Sequence, residues 1–144
     1  MWLQRYGLYF AWLLACVGTL VSLYYSHIRQ LEPCHLCWYQ RMCLFPLTIL
    51  LGIAAYRGFL GMAYYVLPLS LLGCLVGLYQ IGIQEIPGWN PIDICGNGPS
   101  CVERVVVFGP FTIPMLSALL FACITALMTA ILHVERKRAL FFSP

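Results

Sequence analysis

The sequence predicts an all-α membrane protein, a four-transmembrane-helix bundle with both termini cytoplasmic. Three observations carry that prediction. The 144 residues are 62% hydrophobic and 9% charged, with a mean hydropathy of +0.85. A soluble domain carries about 25% charged residues. Four stretches reach the roughly 20 apolar residues needed to cross about 30 Å of hydrocarbon. The Lys and Arg residues fall unevenly at the ends of those stretches. This composition argues against a water-soluble enzyme, a nucleic-acid binder and a disordered regulator. A net charge of +3 is too small for a phosphate-binding surface. The length allows one domain, a single integral membrane unit over 1–144.

Each span follows from the charges and prolines that bound it. Residues 6–26 carry no charge and form the first helix. Only Arg5 precedes this run, which is longer than a signal-peptide core and ends in Tyr24-Tyr25-Ser26-His27 rather than a small-residue cleavage site. It is therefore expected to be retained. The second helix, about 35–56, contains one charge, Arg41. The third covers about 60–84. The fourth is placed at about 112–133, because Pro110 and Pro114 mark its start. In lipid, backbone polar groups must be paired within the segment, so helices are the default. Arg5, Arg57, Arg136, Lys137 and Arg138 share one side; Arg29 and Arg104 lie on the other, with Arg41 at or within the membrane. The excess puts both termini and the Arg57-Gly58 turn in the cytoplasm. Loops at about 27–34 and 85–111 then face outward. Pro87, Gly88, Pro91, Gly96, Gly98 and Pro99 argue against a long helix in the second.

The eight cysteines divide into two sets. Cys16, Cys43, Cys74 and Cys123 fall inside the spans, where cysteine packs as a small hydrophobe. Cys34-His35-Leu36-Cys37 forms a C-x-x-C at the mouth of the second helix, and Cys95 and Cys101 form a C-x5-C in the long outer loop. Disulfides persist outside the cell, and four cysteines allow three pairings. The C-x5-C pair could simply pin its loop. The C-x-x-C ring is too short to constrain much of the unfolded chain; its spacing is that of redox dithiols with one activated thiolate. No metal site is expected, because C-x5-C is an unusual zinc-ligand spacing.

Arg41 weighs the reading towards chemistry. A charge inside a membrane helix is costly and marks function by default, snorkelling to the interface being the plainer alternative. It follows Cys37 by four residues, on the same helix face and about 6 Å along the axis. A guanidinium there, with the positive end of the helix after Pro33, favours thiolate over thiol at Cys37. It could also donate to a carbonyl oxygen of a membrane-bound ligand. A cycling dithiol must pass two electrons onward, and the lipid phase offers quinones. The second dithiol is placed to exchange with a soluble protein through a mixed disulfide. Among the remaining signals, His35 could tune the dithiol or merely face solvent. Trp38, Tyr39, Tyr24, Tyr25 and Trp89, and at the other side Trp2, Tyr6, Tyr64, Tyr65, Phe141 and Phe142, suit aromatic belts. Gly73 and Gly77 allow close helix packing, and Pro46 and Pro68 sit inside helices that they would kink.

Pro33-Cys34-His35-Leu36-Cys37-Trp38-Tyr39-Gln40-Arg41 resembles the P-C-x-x-C-x-Y-x-R signature of DsbB-type disulfide bond formation proteins. Cys101-Val102-Glu103-Arg104, and Ile113-Pro114 opening the fourth helix, extend the resemblance. The chain length and the close C-x5-C look most like the short, BdbC-like branch. The resemblance implies a multi-pass protein of the cell (inner or plasma) membrane with its redox cysteines on the extracytoplasmic side. It implies a quinone-dependent thiol oxidoreductase that reoxidises a thioredoxin-fold thiol oxidase of the DsbA or BdbD kind. The electrons would pass to menaquinone or ubiquinone in the lipid pool. By the same resemblance, Cys37 is the thiolate beside the quinone and Cys34 its partner. Arg41 contacts the quinone, and Ile113 lines its site. Cys95 forms the mixed disulfide, Cys101 resolves it, and a transient Cys34–Cys95 bridge relays the exchange. This sequence departs from the family in three ways. Long-loop members separate the second pair more widely. Gln40 stands where some members carry an acid. A quinone-proximal histidine at the end of helix 3 has no match, since Gln80, Gln84 and Glu85 occupy that region.

Three rivals differ in class. An outward electron exporter needs cysteines reachable from the cytoplasm or buried in paired helices, and the helix cysteines here show no C-x-x-C or clear pairing. A quinone-epoxide reductase of the vitamin K type carries its C-x-x-C late in the chain rather than early. A non-catalytic membrane protein with two structural disulfides would tolerate loss of Arg41.

Overall fold

The computed structural model describes residues 2–30, 35–86 and 106–142. Four long helices dominate it: α1 (Trp2–His27), α2 (His35–Arg57), α3 (Ala63–Glu85) and α4 (Ile113–Phe142). All four are long and apolar enough to cross a membrane. A short 3₁₀ turn, Leu60–Met62, precedes α3. Two short antiparallel strands, β1 (Val106–Phe108) and β2 (Phe111–Thr112), lead into α4, with Val106 opposite Thr112 and Phe108 opposite Phe111.

The helices form a closed ring in which each packs against its two neighbours, α1–α2–α3–α4–α1. Specific contacts make every neighbouring pair antiparallel. Arg41, early in α2, bonds to Ser22 and Ser26, late in α1. Cys37 meets Gln80, late in α3. Thr125 of α4 bonds to Ser70 of α3 at 3.0 Å, and Gly77 lies against Ala118. Gly7 abuts Ile131, and Gly18 abuts Leu120. Both chain ends therefore lie at one end of the bundle, and the Cys37 turn lies at the other.

Helical periodicity sets which residues face inward. The buried positions of α2 are Leu36, Gln40, Leu44, Leu47, Leu51, Ala54 and Ala55, spaced by three and four residues. In α4 they are Pro114, Ala118, Phe121, Ile124, Met128 and Ile131. The outward face is also apolar, with Phe10, Leu13, Leu20, Ile49, Leu72, Leu75 and Leu119 exposed. In water this would be a large liability; in hydrocarbon it is the solvent-facing side. Lipid gives no hydrophobic push between helices, so association rests on close packing and interhelical hydrogen bonds. The small residues of α3 supply the first. A Cβ at Gly73 would lie 2.5 Å from the ring of Phe121, itself only 1% exposed. The pair thus serves packing within the chain. Thr19 and Thr48, 3.0 Å apart between α1 and α2, supply the second.

The turns obey their glycines. Gly58 has φ +65, and the Phe59 N–H donates to the Ala54 carbonyl at 3.2 Å, which closes α2 with a left-handed C-terminal cap. Gly109, at φ +50, makes the turn between the strands. Pro46 and Pro68 lie within α2 and α3.

Two helix ends differ from the sequence expectation. The first helix starts at Trp2 rather than near 6, since nothing in Trp2–Arg5 breaks a helix and Gln4 is buried. The fourth runs on to Phe142 rather than stopping near 133. Charges at Glu135, Arg136, Lys137 and Arg138 end a membrane span but are good helix formers.

Candidate active site

The first turn of α2 places Cys37 half-buried at the end of the bundle, beside the positive end of the helix dipole. Around it Leu36 and Ile83 form a small buried apolar cluster, with Val76 and Tyr79 packed on it. Gln80, reaching from α3, is 2% exposed. Its Nε2 donates to Cys37 Sγ at 3.5 Å, and as a thiol Sγ donates to Gln80 Oε1 at 3.9 Å. Among the described residues, the sulfur thus sits on this apolar cluster and against the Gln80 carboxamide.

One turn deeper lies a second polar layer. Gln40 is 6% exposed, and its Oε1 accepts from Ser117 Oγ of α4 at 3.1 Å. Among the described residues its Nε2 is buried with no hydrogen-bond partner, and it lies close against Gly77, where a Cβ would stand 3.1 Å away. Thr112 Oγ1, at the head of α4, is likewise buried and unpartnered. A buried donor left unpaired costs about 1–3 kcal/mol. Both are donors whose capacity is unused among the described residues.

Arg41 is half-buried and turned towards α1. Nη2 donates to the Ser22 carbonyl at 3.0 Å, Nη1 donates to Ser26 Oγ at 3.2 Å, and the guanidinium lies 5.6 Å from the centre of the Trp38 ring. A guanidinium has five N–H donors, so this anchorage leaves donors for a further acceptor. It also ties the guanidinium to the last turns of α1. Ile113, partly buried, opens α4 beside Thr112. His35, Trp38 and Tyr39 are exposed at the same end, as are Tyr24 and Glu85, while Gln84 is buried.

Of the four cysteines singled out in the sequence, Cys37 lies in the described part. Cys34, Cys95 and Cys101 lie outside the described residues, as do Arg104 and Trp89. Cys16, Cys43 and Cys74 are partly buried, and Cys43 and Cys74 pack on the main core. Cys123 departs from the packing expectation: it is exposed on the outer face of α4. Sequence reasoning placed Gln80 in the right region but assigned it no contact. The signal available was a glutamine in an otherwise apolar span, at i+3 from Gly77 on the same face.

The model for the family "Disulfide bond formation protein DsbB" matches residues 4–132. The chain is 51% identical over 126 residues to a "Probable disulfide formation protein" of Chlamydia muridarum, covering 88% of this chain and 92% of that one. A protein of the same description from Chlamydia caviae is 52% identical over 126 residues, covering 88% and 91%. One from Coxiella burnetii is 53% identical over 119 residues, covering 81% of each chain. No solved structure matches the chain significantly. With four membrane-crossing helices and this kinship, the chain is a membrane protein that belongs to the DsbB family of disulfide bond formation proteins.

Proposed function

We propose that the chain is a thiol:quinone oxidoreductase of the cell membrane. It reoxidises an extracytoplasmic thioredoxin-fold thiol oxidase of the DsbA or BdbD kind and hands the electrons to quinone. The observation that carries the reading is Cys37 in the first turn of α2, half-buried against Gln80 and one turn from a fixed guanidinium at Arg41. A structural cysteine needs no such polar company inside a membrane helix.

In this reading the catalytic groups are Cys34 and Cys37 near the lipid, and Cys95 and Cys101 towards the partner. The partner's two thiols become a disulfide, and one quinone becomes a quinol, with two electrons and two protons passing. The chain's own residues fit a quinone as substrate. Its carbonyls need donors at membrane depth, and Arg41, Gln40 Nε2 and Thr112 Oγ1 offer them. Ile113, beside Thr112, would add apolar contact. Donors aimed at an oxygen where negative charge develops stabilise that charge most strongly where water is excluded.

The test is anaerobic. Purified protein is mixed with a soluble quinone and a reduced thioredoxin-fold dithiol protein, and quinone absorbance is followed. Quinol formation that requires both the partner and Cys37 is the expected result. No reduction, with the four outer cysteines protected from thiol reagents, would leave two structural disulfides as the account.

A further inference from the structure

We propose that Gln80 is a catalytic residue: its carboxamide contacts the Cys37 sulfur and stabilises the reduced form of that cysteine. The inference rests on the reading that Cys34 and Cys37 cycle between dithiol and disulfide.

The geometry is two-sided. Nε2 lies 3.5 Å from Sγ and donates to it, while Oε1 lies 3.9 Å from Sγ and can accept from a thiol. One side chain thereby serves both protonation states of the reduced sulfur without moving. At 2% exposure, Gln80 has no water to turn towards. Its reach depends on close approach of α2 and α3 one turn away, where Gly77 lies against Gln40. A dipole is a suitable partner at this depth. A second full charge would carry its own desolvation cost, whereas a neutral amide gains strength as the local dielectric falls. Arg41, by contrast, gives two of its N–H groups to α1.

The step it assists is thiol–disulfide exchange. An incoming thiolate attacks Cys34 Sγ, a new S–S bond forms, and the Cys34–Cys37 bond breaks. The electron pair of that bond stays on Cys37 Sγ, and the leaving sulfur is better able to hold it when an N–H points at it. Gln80 supplies that N–H.

The experiment uses the full chain with Cys95→Ser and Cys101→Ser, so that one outer pair remains. The protein is equilibrated in detergent with glutathione buffers, and the Cys34–Cys37 state is read by alkylation and mass spectrometry. Gln80→Met keeps the length of the side chain and removes the amide. It is expected to favour the disulfide about tenfold, equivalent to about 30 mV towards more reducing potential. Gln80→Asn keeps an amide one methylene too short, and is expected to shift the equilibrium equally. Ser70→Ala, ten residues back along α3 and bonded to Thr125 of α4, is expected to stay within about twofold. An unchanged equilibrium in Gln80→Met, or an equal shift in Ser70→Ala, overturns the proposal, as does wild-type behaviour in Gln80→Asn. The measurement needs neither partner nor quinone. A shifted equilibrium with no quinone reduction by the Gln80 protein would therefore sink the functional reading and leave the Gln80 contact standing. Cysteines 34 and 37 that never pair in any buffer would overturn both.

Discussion

At the end of the bundle that carries the Arg57-Gly58 turn, the helices meet through Leu8, Ala54, Ala63, Val66 and Ile131, all apolar and nearly fully buried. At the end that carries Cys37, they meet through Gln40, Gln80, Gln84 and Thr112, equally buried and polar. The first is what lipid solvation alone would select. The second carries unpaired donors at Gln40 and Thr112, each costing about 1–3 kcal/mol. That cost does not serve stability, and it sets this end of the bundle apart as the candidate site. Gln4, buried at the turn end with its Nε2 unpartnered, tempers the contrast without reversing it.

The comparison breaks most sharply at the sulfurs. Cys37→Ser is expected to abolish partner-dependent quinone reduction, while Cys16→Ala, in the partly buried middle of α1, retains it. Equal loss in both variants would trace the effect to folding. Arg41→Ala should come next, with the apparent affinity for quinone weakened roughly tenfold or more, while both outer pairs still form with chemical oxidants. An unchanged affinity would confine Arg41 to holding α1.

The packed half is tested at Gly73. Phe121 is fully buried and has nowhere to swing, so Gly73→Ala should lower stability by about 1–3 kcal/mol in detergent unfolding. Its quinone affinity should stay near wild type. The smallest effect is expected at Gln30, a non-glycine residue at φ +50 just beyond α1. Gln30→Gly relieves the left-handed conformation and should raise stability slightly, by under about 1 kcal/mol in detergent unfolding.

Most of the bundle was legible in the sequence because lipid imposes a simple rule: long charge-free runs become spans. The Gly58 turn and the α4 start near Pro114 were legible because Gly and Pro act locally. The strands before α4 were not, since Val106–Phe108 reads equally as the apolar beginning of a span. The end of α4 was missed because charge reports where the membrane ends, not where the helix does. At the site, Cys37 and Arg41 stood out through spacing and charge. Their neighbours did not. Ser22 and Ser26 are unremarkable serines in a distant segment, and only the antiparallel pairing of α1 with α2 brings them to the guanidinium. Gln80 meets Cys37 across 43 positions of sequence, a distance that helix periodicity cannot bridge.

Helix α4 has 30 residues, or about 45 Å of length, against a hydrocarbon layer of about 30 Å. Its surplus carries Arg136, Lys137 and Arg138, all exposed, followed by Phe141 and Phe142 at 89% and 83% exposure. Basic and aromatic residues at the end of a span suit the headgroup layer, and surplus length is accommodated by tilt, by a local change in bilayer thickness or by a helix end that stands clear of the hydrocarbon. Helix α4 is long enough to do the last, so a change in bilayer thickness is expected to alter how the bundle, with Cys37 at its other end, sits relative to water.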